Sequence, residues 1–231
     1  MTEIFLDTAN MDEIRKYKSW GILQGLTTNQ KIFLKEKGCN FKDRALEILE
    51  EMYPMPVSLE GPNDYAQLIK TAEEYCNWVD KNGTKYRNIV IKVPMLGNGD
   101  GLRAVKTLSE MGIKTNVTAC MTLNQTFLAA CAGATYVSLF FNRMIDMEDV
   151  DYALNVVKTT KIMLHDGQFD TLLIVGSIRQ SFDIPIILMG QPDIITIPPK
   201  ILEQMPLCKR TEETLKDFEE AWKEFKKYES K

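Results

Sequence analysis

The chain has 231 residues, of which 45% are hydrophobic and 26% charged, a composition typical of a folded globular protein. Its formal net charge of −4 gives no electrostatic reason to expect a nucleic acid or an anionic membrane as a partner. Met1–Asn10 lacks the basic and apolar parts of a signal peptide, and no apolar stretch reaches the ~20 residues of a membrane helix, so we expect a cytoplasmic protein.

Short apolar runs rich in Val, Ile and Thr alternate along the chain with longer segments of helical period. The predicted strands are Ile4–Thr8, Leu23–Thr27, Pro56–Glu60, Asn88–Pro94, Lys114–Ala119, Tyr136–Phe140, Thr171–Ser177 and Ile194–Ile197. A first helix is predicted after Asn10, its N-cap residue, with an apolar face of Ile14, Tyr17 and Trp20. The further predicted helices are Phe41–Met52, Tyr65–Asp80, Leu102–Met111, Asn124–Ala132, Val150–Leu164, Phe182–Met189 (with Asp183 as a cap), Lys200–Met205 and Glu212–Tyr228.

Eight strand–helix units in series, with one helix left over, predict a parallel sheet that closes into a (β/α)8 barrel. We expect a single barrel domain over residues 1–231, with residues 211–229 as a C-terminal helical extension. The alternative is an open doubly wound sheet, which is disfavoured because no G-x-G-x-x-G motif follows the first strand.

The cysteine and histidine content restricts the chemistry. The five cysteines are scattered without a C-x-x-C pair, which indicates a reduced, intracellular protein. His165 is the only histidine, and zinc-dependent aldolases and hydrolases use several, so we expect no metal. Catalysis by a Ser-His-Asp triad would have to use His165, which we expect to be exposed in the last turn of a helix.

Catalytic groups of such barrels gather at the C-terminal ends of the strands. The first seven predicted strands carry polar residues there, namely Asp7, Thr27-Thr28-Asn29, Glu60, Lys92, Asn116 with Thr118, Ser138, and Ser177 followed by Arg179. Lys92 is the most informative because it lies in an otherwise apolar strand. Burial disfavours a charged ammonium, and Schiff-base chemistry needs a neutral amine. The structural alternative is a lysine that pairs with Asp7 or Glu60, or one that reaches water at an edge.

The other polar residues are weaker signals on their own. Asp7 and Glu60 could divide the work of a general base and a water-positioning group, although each could also be a simple ion-pair partner. The late strands of barrels often bind phosphate, so Arg143 and Arg179 beside Ser177 are phosphate candidates rather than ordinary surface arginines. A shared barrel face with Asn29, Asn116 and Ser138 favours a polyhydroxylated ligand, whereas singly these residues also close turns.

Several segments, in order along nearly the whole chain, carry a resemblance to known proteins: Phe5–Asn10, Gly25–Asn29, Pro56–Glu60, Ile91–Pro94, Gly112–Thr118, Ala132–Ser138 and Asp193–Gln204. Together they resemble the small transaldolase and fructose-6-phosphate aldolase family. The resemblance implies that Lys92 forms a Schiff base with a donor ketose and that Asp7 takes the proton from its C4 hydroxyl. It further implies a water held by Glu60 and Thr118, a dihydroxyacetone unit oriented by Asn29, Asn116 and Ser138, and an acceptor phosphate bound by Arg143, Ser177 and Arg179, with Thr28 and Phe140 also in the substrate site.

Within the family, the residues at two positions favour a transaldolase. Aldolase-type members are expected to carry Gln in place of Glu60 and Tyr in place of Phe140. The implied reaction converts sedoheptulose 7-phosphate and glyceraldehyde 3-phosphate into erythrose 4-phosphate and fructose 6-phosphate. A free fructose-6-phosphate aldolase and a non-catalytic sugar-phosphate-binding barrel remain alternatives. Departures from the family pattern at Gln30, Leu96–Gly101, Asn142 and Met144–Tyr152 fall on the loop face and leave an unusual sugar open.

The resemblance implies no cofactor and only sugar phosphates as ligands. It also implies a homo-oligomer, a pentamer or a decamer, in which the terminal helix reaches a neighbouring copy. In this chain the spacing of Phe218, Trp222 and Phe225 gives that helix an apolar stripe. The alternative is that the stripe covers the helix's own barrel.

Overall fold

The computed structural model describes residues 1–229, in which eight parallel strands form a closed barrel in chain order. Each strand pairs with the next one in the sequence, and β1 pairs with β8 to close the sheet. The predicted (β/α)8 barrel is therefore confirmed. The strands are β1 (Glu3–Asp7), β2 (Leu23–Thr27), β3 (Val57–Glu60), β4 (Ile89–Pro94), β5 (Thr115–Cys120), β6 (Tyr136–Phe140), β7 (Leu172–Gly176) and β8 (Ile194–Ile197).

Helices surround the barrel and connect its strands. They are α1 (Met11–Lys18), α2 (Gln30–Phe33), α3 (Phe41–Met52), α4 (Tyr65–Cys76), α5 (Asp100–Glu110), α6 (Leu123–Cys131), α7 (Phe141–Met147), α8 (Val150–Asp166), α9 (Asp183–Leu188), α10 (Pro199–Gln204) and α11 (Lys209–Glu229). The predicted cap of the first helix is confirmed, since Asn10 Oδ1 accepts hydrogen bonds from the backbone N–H groups of Asp12 and Glu13. His165 is also exposed in the last turn of α8, as predicted.

Two apolar layers stabilise the barrel because side chains alternate between the two faces of each strand. The larger layer fills the space between the strands and the helices. The smaller layer, which we call the inner plug, fills the barrel interior. The inner plug consists of Phe5, Val90, Tyr136, Ile174 and Ile194.

Gly25 makes room for the ring of Phe5 in the inner plug. A Cβ atom at this position would lie 2.5 Å from Cζ of Phe5, which is inside van der Waals contact. The ring of Phe5 also meets the ring of Tyr136 edge to face, with a centroid distance of 6.2 Å. Two residues further along β1, β4, β6 and β8, the same inward face carries polar side chains instead, and these form the floor of the cavity described below.

Two predicted helices end earlier than their apolar period suggests. Helix α1 ends at Lys18, and Trp20 lies outside it, 40% exposed, with its ring against Tyr17 at 4.9 Å. Helix α4 ends at Cys76 rather than Asp80. The carboxylate of Asp80 accepts hydrogen bonds from backbone N–H groups that follow it, which closes a turn in place of another helical turn.

Two short helices were not predicted. Helix α2 starts at Gln30 and is capped by Asn29, whose Oδ1 accepts a 3.0 Å hydrogen bond from the Ile32 amide. Helix α7 begins directly after β6 and occupies part of the segment Met144–Tyr152. Both are too short for their periodicity to be distinguished from a loop. The prediction of Asp183 as a cap was wrong, because α9 follows Phe182 and Asp183 is its first residue.

Helix α11 extends along the surface and has no buried residue. The side chains of its apolar stripe, Leu215, Phe218, Trp222 and Phe225, are 49–66% exposed. The stripe thus does not cover the barrel of its own chain. Over residues 1–229, no helix has both the length and the apolar character that crossing a membrane requires.

Candidate active site

A cavity of about 420 Å³ opens at the C-terminal ends of the strands. This is the end at which barrels of this type carry their functional groups. Its lining residues are Asp7, Thr27, Asn29, Gln30, Lys31, Glu60, Asn63, Lys92, Pro94, Thr118, Ala119, Ser138, Phe140, Arg143, Gly176, Ser177 and Thr196.

Lys92 lies on β4 at the floor of this cavity and is only 5% exposed. Its Nζ is 2.8 Å from Oε1 of Glu60, and it donates a 2.6 Å hydrogen bond to the backbone oxygen of Thr28. Glu60 is the direct neighbour of Lys92 in the pairing of β3 with β4, which explains why the two side chains meet. The ion pair considered as the structural alternative is therefore present, but it borders a cavity large enough for a small ligand.

Asp7 also faces the cavity, from the end of β1. Its Oδ1 accepts a 2.8 Å hydrogen bond from the hydroxyl of Thr27, the neighbouring residue in the pairing of β1 with β2. Burial raises the pKa of the Asp7 carboxyl above its usual value, and this effect exceeds the opposing influence of the Lys92 ammonium and the Thr27 hydroxyl. Asp7 is therefore a carboxylate that holds its proton more readily than an exposed one.

Strands β5 and β6 supply neutral polar groups on the opposite wall. Thr118 lines the cavity, and its buried hydroxyl has no hydrogen-bond partner among the described residues. Ser138 also lines the cavity and donates a 2.7 Å hydrogen bond to Oδ1 of Asn116. Asn116 in turn donates to Oγ of Ser58 at 3.2 Å. Asn116 is fully buried behind Ser138 and does not itself line the cavity, so it holds Ser138 in place.

Two cavity residues have an unusual backbone conformation. Ala119 and Ser177 have φ angles of 62° and 60°, in the left-handed region that residues with a Cβ rarely adopt. The pairing of β5 with β6 shifts register next to Ala119, between Val117 and Cys120. Left-handed non-glycine residues are enriched at ligand sites, where the surrounding structure holds them. Two further left-handed residues, Gln168 and Gln191, lie in the loops before β7 and β8, so this conformation accompanies the cavity but is not restricted to it.

The predicted phosphate residues are only partly brought together. Arg143 and Ser177 both line the cavity, and the guanidinium of Arg143 lies 5.8 Å from the ring centroid of Phe140. Arg179 does not line it. Its guanidinium instead forms a two-point ion pair with Asp146, with distances of 2.7 and 2.5 Å, on the exposed surface.

Two other residues predicted for the substrate site, Thr28 and Asn29, have side-chain oxygens that are hydrogen-bonded within the protein. Thr28 points away from the cavity, and its hydroxyl donates to the backbone oxygen of Ser58 at 2.8 Å. Its carbonyl is the group that contacts Lys92. Asn29 lines the cavity, and its side-chain oxygen is already engaged as the cap of α2.

Five polar cavity residues were not among the predicted site residues: Thr27, Gln30, Lys31, Asn63 and Thr196. Thr27 had been noted only as a polar strand end, and Thr196 could have been found by counting alternate positions, since each is the inward-facing polar residue of its strand. Gln30 had been noted only as a departure from the family pattern. Its amide donates a 3.3 Å hydrogen bond to Oε2 of Glu60. Lys31 is exposed in α2 and Asn63 is exposed in the loop after β3, and nothing in the local sequence distinguishes them.

The carboxylates lining the cavity are those of Asp7 and Glu60. Over residues 1–229, no group of three or more His, Cys, Asp and Glu side chains is arranged so that it could hold a metal ion. Chemically, the arrangement offers a buried amine with one carboxylate bonded to it, a second carboxylate of raised pKa nearby, and a hydroxyl that no described residue hydrogen-bonds.

Comparison with known proteins gives matches over nearly the full length. The family model described as Transaldolase/Fructose-6-phosphate aldolase matches residues 4–231. A "Probable transaldolase" of Carboxydothermus hydrogenoformans is 40% identical over 227 residues, which cover 97% of this chain and 100% of that protein. A "Probable transaldolase" of Petrotoga mobilis is 37% identical over 98% of this chain and 97% of its own. A "Probable transaldolase 2" of Bacillus cereus is 38% identical over 94% and 96%, respectively.

Proposed function

The chain belongs to the transaldolase/fructose-6-phosphate aldolase family, and from this premise we propose that it is a transaldolase that transfers a dihydroxyacetone unit between sugar phosphates. The donor would be sedoheptulose 7-phosphate or fructose 6-phosphate, and the acceptor glyceraldehyde 3-phosphate or erythrose 4-phosphate. The observation that carries the proposal is the buried amine of Lys92 at the floor of a cavity, 2.8 Å from Glu60 and near Asp7.

The first step would be formation of an imine on Lys92. The Nζ atom attacks the C2 carbonyl of the ketose after losing its proton, for which Glu60 is the bonded acceptor. The resulting carbinolamine loses water to give an iminium ion. Thr118 supports this step, because its unpaired hydroxyl faces the cavity and can hold that water together with Glu60.

Cleavage of the carbon–carbon bond would then depend on Asp7. Its carboxylate takes the proton of the C4 hydroxyl, the C3–C4 bond breaks, and an aldehyde leaves. The electron pair moves toward the iminium nitrogen and gives an enamine on Lys92. The acceptor aldehyde adds at C3 in the reverse sequence, Asp7 returns the proton to the new hydroxyl, and water hydrolyses the imine. The raised pKa of Asp7 suits a group that must both accept and return a proton.

Binding of the sugars would use the two walls of the cavity. Ser138, held by Asn116, and Asn29 would orient the hydroxyl groups of the dihydroxyacetone unit. Arg143 and Ser177 would bind the phosphate, and Arg179 would join them by exchanging Asp146 for the phosphate oxygens. Glu60 and Phe140 favour transfer over release of free dihydroxyacetone.

Trapping with borohydride tests the proposal. The protein is incubated with fructose 6-phosphate, reduced, digested and mapped, and we expect the reduced adduct on Lys92. Lys92→Ala should abolish both the adduct and turnover, whereas Lys114→Ala should change neither, because Lys114 lies outside the cavity, just before β5. Absence of an adduct at Lys92 with any ketose donor would reject the enzyme and leave a sugar-phosphate-binding barrel. Cleavage of fructose 6-phosphate without an aldehyde acceptor would identify a free aldolase.

The setting of the enzyme follows from the same proposal. We place it in the cytoplasm, in the pentose phosphate pathway, as a single domain over residues 1–231. We also propose a homo-oligomer in which the exposed apolar stripe of α11 packs against another copy, since the described part of its own chain leaves the stripe uncovered.

A further inference from the structure

A buried carboxylate lies behind the arginine end of the cavity. Asp183 is 2% exposed and does not line the cavity. Its Oδ2 accepts three hydrogen bonds from amide groups: Nδ2 of Asn142 at 2.5 Å, the backbone N–H of Arg179 at 3.2 Å and that of Gln180 at 3.1 Å. We call these groups the Asp183 cluster. A buried carboxyl group that accepts three hydrogen bonds from amides holds the donating groups in one arrangement.

The Asp183 cluster joins two segments that both reach the cavity. Asn142 directly precedes Arg143 in α7, whereas Arg179 and Gln180 follow Ser177 in the turn after β7. A backbone hydrogen bond of 3.4 Å, from the Asn142 amide to the Ser177 oxygen, adds a second link. Asn142 is therefore attached to the turn after β7 through both its backbone and its side chain.

The turn after β7 needs such support. Ser177 has a φ angle of 60°, which costs a residue with a Cβ of the order of 1 kcal/mol or more. The two backbone N–H groups that follow point at the Asp183 carboxylate, which favours this turn over an extended continuation of β7. Loss of the Asp183 cluster would thus let Ser177 and Arg143 move relative to each other, although neither Asn142 nor Asp183 touches the cavity.

We propose that Asn142 and Asp183 are positioning residues that set the distance between Arg143 and Ser177 to fit one phosphate group. The inference rests on the proposed function, in which this end of the cavity takes the phosphate of the sugar. On this proposal, discrimination between phosphorylated and unphosphorylated acceptors depends on the buried contact of Asn142 with Asp183 as well as on the arginines that bind the phosphate.

Binding of inorganic phosphate tests the inference without catalysis. Isothermal titration of the wild-type protein should show a phosphate site that Asn142→Ala weakens by about tenfold, because a contact displaced by about an ångström loses much of its strength. Thr126→Val is the matched control. It removes two other hydrogen bonds, one of 2.9 Å to the Leu123 oxygen and one of 3.1 Å to Thr160 in α8, and should leave phosphate affinity unchanged. Equal losses in both variants, or no phosphate binding by the wild type, would overturn the inference.

Kinetics gives the second readout. With erythrose 4-phosphate as acceptor, Asn142→Ala should raise KM about tenfold while kcat changes by less than about twofold. With unphosphorylated erythrose both constants should stay as in the wild type. An equal effect on both acceptors would contradict a positioning role. Failure of the proposed function looks different, since the wild type would then form no borohydride adduct at Lys92, while the phosphate titration would still report on the Asp183 cluster.

A second variant covers the possibility that Asn142→Ala does not fold. Asn142→Asp places a carboxylate against Asp183, and two carboxylates this close share one proton at acid pH and repel each other once it is lost. Sulfate is the probe here because its charge is constant over the range. Relative to the wild type, the variant's sulfate affinity should be reduced at about pH 8 and recover toward about pH 5. A pH-independent ratio would count against the inference.

Discussion

The hydroxyl of Thr27 donates a 2.8 Å hydrogen bond to Oδ1 of Asp7. Because a hydroxyl has one proton, the 2.5 Å contact between Thr27 and Thr196 must then use the proton of Thr196. The order of donation is therefore Thr196 to Thr27 to Asp7, across three adjacent strands. This relay fixes the orientation of the carboxylate and favours its ionised form, against the burial that raises its pKa.

Replacement of Asp7 by Asn should separate the two halves of the proposed reaction. Asp7→Asn keeps the amine of Lys92 and its contact with Glu60, so imine formation with dihydroxyacetone should continue. Turnover should fall by about 10²–10⁴-fold, since the proton of the C4 hydroxyl loses its acceptor. Borohydride trapping and a coupled transfer assay on the same preparation measure the two steps. Loss of trapping in parallel with turnover would show that Asp7 serves imine formation instead.

The raised pKa of Asp7 has a consequence for stability. The folded protein holds this proton to a higher pH than the unfolded chain does, so it binds more protons between the ordinary carboxyl pKa and the raised one. The free energy of unfolding should therefore decrease as pH rises through that window. Asp7→Asn lacks the effect, so urea unfolding at a series of pH values should show the variant gaining on the wild type as pH rises. A constant difference would argue against the raised pKa.

The unpaired hydroxyl of Thr118 predicts a variant in which stability and activity diverge. Thr118→Val removes a buried hydroxyl that has no hydrogen-bond partner within residues 1–229, so stability should be unchanged or higher by up to about 1 kcal/mol. Turnover should fall by about 10–100-fold if the hydroxyl holds the proposed water. Thr27→Val provides the comparison for stability, because its hydroxyl is bonded and its removal should destabilise the protein by about 1 kcal/mol. Full activity in Thr118→Val would rule out the water-holding role.

Arg143 and Arg179 should differ in their effect on phosphate recognition. Arg143 lines the cavity, so Arg143→Ala should raise KM for a phosphorylated acceptor by about 10–100-fold. Arg179 is occupied by Asp146 at the exposed surface, and it must give up that ion pair to bind phosphate. Arg179→Ala should therefore have the smaller effect. Steady-state kinetics with phosphorylated and unphosphorylated acceptors decides the order, and a larger effect at Arg179 than at Arg143 would contradict Arg143 as the main phosphate contact.

The exposed stripe of α11 predicts the assembly state. Trp222→Glu places a charge in the centre of the stripe and should reduce the molecular mass measured by sedimentation velocity. Lys216→Glu adds negative charge on the charged side of the same helix and should not. A wild-type mass equal to one chain would refute the oligomer. An unchanged oligomer in Trp222→Glu would show that contacts other than the stripe hold it together.

The barrel and the floor of its cavity could be predicted because they follow from short-range pattern. A strand residue two positions from a buried apolar one points the same way, and this places Lys92 above Val90 and Ser138 above Tyr136. The prediction was less successful for residues in the segments that connect the strands to the helices. The pairing of Arg179 with Asp146 brings together residues from two separate loops.

Local sequence pattern also could not identify the residues that support the cavity from behind its surface. Asn116 and Ser138 occupy inward positions of neighbouring strands, yet only the packing shows that one lies behind the other. The same holds for Asp183, which looked like a helix cap because caps and buried turn carboxylates share the same residue types.

The inner plug closes the lower end of the cavity, so that the cavity opens at the C-terminal ends of the strands. Its aromatic and branched side chains fill the barrel axis immediately beneath Asp7 and Lys92. In the proposed reaction, the ketose, the departing aldehyde, the acceptor and the hydrolytic water would all use the same mouth. Because the departing aldehyde and the acceptor would occupy the same place beside the Lys92 enamine, the first would leave before the second enters, and the proposed reaction should follow a ping-pong order.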